Sequence, residues 1–341
     1  MAITPRTEFA QALKAVATER GLEPDVVMET MRQAIAAAWR RDRREHGEDT
    51  DSMDVEVEMD DVSGETKVFA WPIEEPDKRA DVTPPGFGRI AAQTAKQVIH
   101  QKIREAEKAS VMDEYSGRIG GLISGMVLRF DGPNVRVDLG KTEGRMPSEE
   151  RISLERLSPN QRLTFLLKNI EDGPRGKELI LSRADPQFVV KLFEREVPEI
   201  ASKSVVIKAI AREPGVRAKI AVFSEQSGVD PVGSCVGQKG IRVQTVTNEL
   251  GGERIDIILW TPDTQGLIKG ALSPVEVTEI KLNEDDKTAL VTVAEDQLSL
   301  AIGKEGQNVR LVSRLCGYKI DIQGSGVLAE KKEAKPEESN E

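Results

Sequence analysis

The sequence of 341 residues predicts a multidomain protein, in which an α+β N-terminal domain is followed by an all-β barrel, two consecutive α/β modules and a disordered tail. Three observations predict this order. Apolar residues follow a helical period over much of the first 113 residues, short runs of alternating apolar residues come next, and one motif then occurs twice. Because domains commonly hold about 100–200 residues, this length also indicates two to four domains.

The N-terminal domain is predicted over residues 1–113 and begins with two helices. The first spans residues 6–19. The second begins near Asp25 and ends in a basic run at residues 40–44, which suits the negative end of a helix dipole. The apolar side chains predicted for its buried face are Val27, Met31, Ile35 and Ala38 or Trp39.

An acidic strand and a long helix complete this domain. Val55, Val57 and Met59 alternate with carboxylates, which predicts a half-buried strand with one acidic face. A two-metal nuclease places carboxylates in this way, but charge runs usually form a solvated surface, and we adopt that interpretation. The remaining predicted elements are a strand around residues 67–71, a loop over 72–88 and a helix over 89–110, with Ile90, Thr94, Val98 and Ile103 on one face.

Residues 114–183 predict a small all-β barrel of the OB-fold type. Alternating apolar residues and Gly/Pro/Asn turns indicate four strands, over residues 119–130, 135–139, 163–170 and 178–182. Barrels of this kind commonly hold single-stranded nucleic acid.

Side chains of this barrel are candidates for RNA contacts. Stacking of bases needs an exposed aromatic ring, and Phe130 is the candidate, with ordinary packing as the alternative. Phe165 lies in an apolar strand and is assigned to the core. Arg136, Lys141 and Arg145 are candidate phosphate contacts or plain surface charges.

An internal repeat is the most specific signal in the chain. Residues 235–243 match residues 301–309 at an offset of 66, and residues 252–257 match residues 317–322 at an offset of 65. The aligned segments contain two loops of the form G-x-x-G, namely Gly237-Gln238-Lys239-Gly240 and Gly303-Lys304-Glu305-Gly306. A single G-x-x-G is common in turns, whereas two copies with matching flanks indicate a repeated module.

Each copy predicts a strand, a short helix, the G-x-x-G loop, a second helix and a closing strand, which is the arrangement of a KH module of the bacterial type. The two modules are predicted over residues 184–261 and 262–324. Asp230 and Asp296 are predicted to cap the short helices. In the second helices, the predicted core residues are Val243, Val246 and Leu250, and Val309, Val312 and Leu315.

The chemistry of such a loop favours RNA phosphates. Glycine allows a tight turn and a close approach of the RNA backbone, while amide N–H groups and the following helix N-terminus attract the anion. Glu305 departs from this pattern because it repels phosphate, and Arg310 and Arg314 on the next helix are candidates to compensate or are simply solvated. Arg242 is a further candidate contact after the first loop.

The composition of the chain argues against several other classes of function. The net charge is −10, but residues 114–183 carry 12 basic and 10 acidic side chains, so RNA affinity is expected to come from placed groups. Cys235 and Cys316 form no C-x-x-C pair, and we predict no metal site, no cofactor and no catalytic residue. The sequence shows no secretory signal and no membrane span, so we expect a cytoplasmic location; the tail at residues 325–341 is predicted to be disordered.

Three segments resemble the NusA family of bacterial transcription factors. They are residues 86–99, residues 298–308, and residues 138–144 together with 181–183, and the resemblance extends over about residues 6–323. It implies an N-terminal domain that binds RNA polymerase core near the RNA exit channel, then the barrel and two KH domains that receive nascent single-stranded RNA. It also implies regulation of pausing, termination and antitermination, together with other elongation and antitermination factors, by a monomer. The acidic repeats of some members are missing, so autoinhibition through them is not expected.

Two other hypotheses remain open from the residues. A ribonucleolytic enzyme would carry the same RNA-binding modules, although residues 1–113 look too short for a phosphorolytic core. A KH protein of the ribosome is usually strongly basic, whereas this chain is acidic. No G-x-x-x-x-G-K-[ST] motif occurs, which argues against a GTPase.

Overall fold

The computed structural model describes residues 24–60, 65–173 and 176–325, and the chain divides into two compact units between Tyr115 and Ser116. The predicted helix over residues 6–19 and the tail after residue 325 lie outside the described residues. No helix in the described ranges is long and apolar enough to cross a membrane.

The first unit is a three-stranded antiparallel sheet covered by helices. Helix α1 (Pro24–Glu45) packs on strands β1 (Met53–Met59), β2 (Thr66–Pro72) and β3 (Ala80–Asp81), which lie in this order, and helix α2 (Gly88–Ser116) follows. Its core includes Val27, Met31, Ile35, Trp39, Val57, Met59, Val68 and Ala70. The predicted buried face of the second helix is therefore confirmed, with Trp39 rather than Ala38 in the core.

Two predictions for this unit were wrong. The predicted loop over residues 72–88 contains β3, which pairs with Phe69 and Ala70 and is too short to show a period. Helix α2 buries Ala91 and Ala95 rather than Ile90, which is 37% exposed. The reason is that the buried Phe87 precedes the helix, and residues at intervals of four share its side of the helix.

The acidic face of β1 contacts a cation from a neighbouring loop. Arg79 Nη2 lies 2.9 Å from Glu56 Oε2 and 2.6 Å from Glu58 Oε1, and its guanidinium lies 4.1 Å from the centre of the Phe69 ring. In the part of the chain that the structure describes, no group of three or more His, Cys, Asp or Glu side chains has the arrangement of a metal site.

The second unit begins with a closed five-stranded barrel. Its strands are β4 (Leu122–Asp131), β5 (Asn134–Asp138), β6 (Glu143–Met146), β7 (Arg162–Gly173) and β8 (Gly176–Ser182), in the order β4-β5-β6-β8-β7. Sequence reasoning missed β6, because the inward-facing Gly144 has no apolar side chain. A Cβ at Gly144 would lie 2.7 Å from Leu181 Cδ1, so glycine is needed where β6 approaches β8 to close the barrel.

Two modules of the same topology follow the barrel. The first contains α3 (Pro186–Glu196), α4 (Pro198–Ala201), β9 (Val206–Glu213), β10 (Arg217–Phe223), α5 (Pro231–Val236), α6 (Ile241–Glu249) and β11 (Arg254–Leu259). The second contains α7 (Thr264–Leu272), β12 (Val277–Asn283), β13 (Thr288–Val293), α8 (Leu298–Ile302), α9 (Gln307–Cys316) and β14 (Lys319–Gly324). In each sheet the middle strand pairs antiparallel with the preceding strand and parallel with the closing strand.

Helix caps explain where the module helices begin. Asp230 accepts a hydrogen bond from the Val232 amide at 3.1 Å and Pro231 occupies the first position, so the predicted cap of α5 is confirmed. The prediction for Asp296 was wrong. Residues 295–297 form a 3₁₀ turn, α8 begins at Leu298, and its N-cap Gln297 makes no side-chain capping bond.

Candidate nucleic-acid interface

The two G-x-x-G loops have the same backbone conformation. In each loop the first, third and fourth residues have positive φ angles, and the corresponding values differ by no more than about six degrees. They are Gly237 (73°), Lys239 (52°) and Gly240 (78°) in the first loop, and Gly303 (74°), Glu305 (53°) and Gly306 (72°) in the second. The repeat seen in the sequence is therefore a repeat of main-chain geometry.

Both loops lead directly into a helix N-terminus. Helix α6 begins at Ile241 and α9 at Gln307, each immediately after the second glycine. The first amide N–H groups of a helix have no partner within the helix and carry its positive dipole end, which attracts phosphate. The variable side chains of the loops, Gln238, Lys239, Lys304 and Glu305, are all exposed beside these amides.

The Arg242 side chain packs against the first loop, next to Gly237. Its Nη1 donates to the Ser234 carbonyl oxygen at 2.6 Å and lies 3.0 Å from Glu199 Oε2. A Cβ at Gly237 would lie 2.7 Å from Arg242 Cγ, so the arginine stem fills the space under the loop. This guanidinium is therefore bound within the protein, although sequence reasoning placed it among the RNA contacts.

Arg310 connects the second loop with the first module. Its Nε donates to Glu213 Oε1 at 2.6 Å, and its Nη1 donates to the Glu305 carbonyl oxygen at 3.2 Å. Arg314 lies one turn later on α9 and is exposed. Of the two arginines that were named as candidates to compensate the negative charge of Glu305, Arg310 is already paired with the carboxylate of Glu213.

The barrel places its candidates on the neighbouring strands β4, β5 and β6 and in the turn after β5. Phe130 is 43% exposed near the end of β4, and the Arg151 guanidinium lies 5.7 Å from its ring centre. Phe165 is fully buried, as predicted. Lys141 is exposed after β5.

Arg136 and Arg145, predicted as phosphate contacts, share one carboxylate. Glu178 accepts from Arg136 Nη1 and from Arg145 Nε, each at 3.0 Å, and Arg145 also contacts Glu171. Burial disfavours the charge of Glu178, but the bonds from Arg136 and Arg145 outweigh it, so the pKa of Glu178 lies below its ordinary value of 4.5. Both arginines therefore form a neutralised cluster with their carboxylates.

This cluster predicts a pH-dependent stability. A lowered folded-state pKa means that ionised Glu178 stabilises the protein above its unfolded pKa, and that this contribution is lost as the pH falls through the folded pKa. We expect Glu178→Gln to be less stable than the parent chain near neutral pH. The difference should shrink between about pH 5 and about pH 3. Urea unfolding of both proteins at a series of pH values measures it, and a constant difference would contradict the prediction.

Sequence reasoning missed three buried cations, two of which join the barrel and the modules. Arg183, fully buried after β8, donates to Glu155 Oε1 (2.6 Å), to the Thr164 carbonyl oxygen (2.6 Å) and to the Glu249 carbonyl oxygen at the end of α6 (2.7 Å). It therefore holds the barrel against the first module. The sequence signal that could have identified Arg183 is a charged residue directly after an apolar strand.

The other two cations lie in the first module. Lys219 Nζ contacts Asp256 Oδ2 at 2.7 Å and donates to the Ala271 carbonyl oxygen of α7 at 2.9 Å, which joins the two modules. Burial lowers the pKa of Lys219, against the opposing effect of Asp256. Arg212 forms a fully buried two-point ion pair with Glu253, at 2.8 and 2.9 Å.

Comparisons with known proteins agree with this architecture. Family models described as the NusA-like first KH domain, the NusA-like second KH domain and the NusA N-terminal domain match residues 183–260, residues 264–330, and residues 8–83 with 72–109. They confirm the predicted fold class.

Whole-chain relatives carry one name, transcription termination/antitermination protein NusA. The protein of Halalkalibacterium halodurans is 39% identical over 349 residues, covering 95% of this chain and 90% of that protein. The proteins of Bacillus subtilis and Thermus thermophilus are each 38% identical, cover 93% of this chain, and are themselves covered to 91% and 89%. With the three domain matches, this similarity shows that the chain belongs to the NusA family of transcription termination/antitermination proteins.

Proposed function

We propose that this chain is a non-enzymatic transcription elongation factor that binds RNA polymerase core and nascent single-stranded RNA, and thereby modulates pausing, termination and antitermination. The observation that carries the RNA-binding part is the identical backbone of the two G-x-x-G loops, each at the start of a helix. The names of its relatives support the role in transcription.

The proposal divides the chain by task. Residues 1–113 bind polymerase, residues 114–183 form the RNA-binding barrel, and residues 184–261 and 262–324 are the first and second KH domains. The break between the two compact units after Tyr115 supports the first boundary. The contacts to phosphate come from loop amides and from Gln238, Lys239 and Lys304, whose side chains are exposed.

The RNA-binding part is tested by changing the first loop. We expect the double variant Gln238→Asp/Lys239→Asp to bind single-stranded RNA about ten-fold more weakly, a loss of about 1.4 kcal/mol. The salt dependence of its affinity should also be flatter, because fewer cations contact phosphate. Aspartate tolerates the positive φ at residue 239, so the loop keeps its shape. Fluorescence anisotropy of the full chain with a labelled oligonucleotide at several salt concentrations measures both quantities.

A matched control is available in the first unit. Gln101 and Lys102 form the same dipeptide on α2, so Gln101→Asp/Lys102→Asp changes the net charge equally. We expect this control to bind RNA like the parent chain. Equal affinities of the loop variant and the parent would contradict the phosphate-cradle proposal.

The polymerase part needs a separate experiment. The full chain should co-elute with core RNA polymerase and change the duration of pauses in a transcription assay. Sedimentation with ribosomal subunits instead of polymerase would contradict the proposal and favour a KH protein of the ribosome.

A further inference from the structure

We propose that Glu213, a residue of the first KH module, is a positioning residue for the second G-x-x-G loop. It binds Arg310 and adds a negative charge beside this loop. The second loop therefore binds RNA more weakly than the first. This inference rests on the proposed function, in which the loops contact phosphate. It adds a contact between the modules that sets how strongly the second loop binds.

The carboxylate of Glu213 lies at the anion-binding end of α9. Its Oε1 accepts from Arg310 Nε at 2.6 Å, and its Oε2 accepts from Gln307 Nε2 at 2.8 Å. Gln307 is the first residue of α9, and Arg310 lies in the same turn. A helix N-terminus that follows a G-x-x-G loop is where an RNA phosphate is expected, so Glu213 places a negative charge close to that position.

Arg310 is oriented by two partners. Glu213 holds its Nε, and the carbonyl oxygen of Glu305 in the loop accepts from its Nη1 at 3.2 Å. The Arg310 side chain is about half exposed, so it is accessible from solvent. The arginine is therefore fixed next to the loop while its charge is compensated by Glu213.

The backbone on both sides of Glu213 is anchored by buried contacts. Glu213 ends β9, and its neighbour Arg212 forms the fully buried ion pair with Glu253. Glu253 Oε2 also accepts from the amide of Gly215 at 2.8 Å, in the turn that follows Glu213. The backbone at residue 213 is therefore held on both sides, and its carboxylate is oriented by its hydrogen bonds with Gln307 and Arg310.

Glu213 remains ionised at neutral pH. The hydrogen bond from Arg310 is the main reason that the pKa of this carboxyl lies below its ordinary value, and the bond from Gln307 acts in the same direction. The negative charge is therefore present whenever RNA is bound under physiological conditions.

The first loop has a different charge balance. Its arginine, Arg242, lies beneath the loop and is paired with Glu199, while the loop itself carries Lys239. At the equivalent position of the second loop is Glu305, so the positive charge of Lys304 is opposed within the loop. Glu213 then compensates Arg310, the arginine nearest to the second loop, so this loop is less positive than it would be without that carboxylate.

Removing this charge tests the inference. We expect Glu213→Gln, which keeps one side-chain oxygen as an acceptor for Arg310 Nε, to bind single-stranded RNA about three-fold more tightly at low ionic strength. The slope of log K against log salt should become steeper by about 0.7, as for one additional phosphate contact on a single strand. The double variant Glu213→Gln/Arg310→Gln should lose this gain, because the released charge belongs to Arg310.

Glu279→Gln is the matched control. Glu279 is an exposed carboxylate on β12 that pairs with Lys281, so the variant changes the net charge equally without touching the contact with α9. A thermal unfolding curve of each variant shows that the modules remain folded. Weaker or unchanged RNA binding by Glu213→Gln, with an unchanged salt slope, would overturn the inference. Because the first-loop variant is measured with the same oligonucleotide, a failure of RNA binding by the loops themselves is seen separately.

Discussion

The Arg212→Met variant is expected to lose about 3–5 kcal/mol of stability in the first KH module, the largest effect among the substitutions considered. Arg212 and Glu253 are fully buried and joined by two hydrogen bonds. Methionine fills much of the same space but leaves Glu253 charged and without its cation in the protein interior. The cost of a buried unpaired charge is far greater than that of losing a packing contact.

The stability of this module can be measured through one tryptophan. Trp260 lies directly after β11 and packs edge-on against Phe223, with ring centres 5.2 Å apart. If Trp39 and Trp71 are replaced by phenylalanine in both proteins, the fluorescence of Trp260, which packs against core residues of both modules, reports urea unfolding of the joined modules.

Two further variants test whether the loss of stability comes from the buried, unpaired charge of Glu253. Arg195→Met removes an exposed ion pair with Glu196 and should cost at most about 1 kcal/mol. The double variant Arg212→Met/Glu253→Gln should recover part of the loss, because no buried charge remains and the amide oxygen of glutamine still accepts from Gly215. A loss below about 1 kcal/mol for Arg212→Met alone would contradict the argument.

The second large effect is expected for Gly303→Ala, about 3 kcal/mol of local stability at the second loop. Gly303 has φ 74° and ψ 172°, a conformation that is essentially restricted to glycine. A Cβ at this position would also lie 2.8 Å from Asn308 Cβ and 3.0 Å from the Asn308 amide nitrogen. Because the obstacle includes the backbone of α9, it cannot be relieved by a change of rotamer.

The same loop supplies the control for this experiment. Gly306 has φ 72° and ψ 15°, which is ordinary left-handed geometry, and a Cβ there would have no neighbour closer than 3.9 Å. Gly306→Ala should therefore cost only about 1–2 kcal/mol. Hydrogen exchange of the α9 amides measures both effects, and an equal loss of protection in the two variants would contradict the role of the Asn308 contact.

The sequence predicted the positions of the two G-x-x-G loops better than it predicted the partners of the surrounding charges. Gly237 and Gly303 were recognised because a repeat appears in the order of residues, and each G-x-x-G lies between segments whose helical period is visible locally. Four arginines were also named from the sequence: Arg136, Arg145 and Arg242 as candidate RNA contacts, and Arg310 as a candidate to compensate Glu305. The structure places all four in hydrogen bonds with carboxylates of other strands and helices.

Local sequence therefore determined most of the elements and the Asp230 cap, since apolar period, glycine and capping side chains act over a few neighbouring residues. It did not reveal β3, β6 or the start of α8. Only the tertiary structure decided how the modules are joined. Arg183 bonds to Glu249, 66 positions away, and Arg310 bonds to Glu213, 97 positions away. The energy of an ion pair depends on the distance between its atoms and on their burial, and neither can be read from the order of residues. The two G-x-x-G loops and the difference between Lys239 and Glu305 thus follow from the sequence, while the contact between Glu213 and Arg310 arises from the packing of the modules.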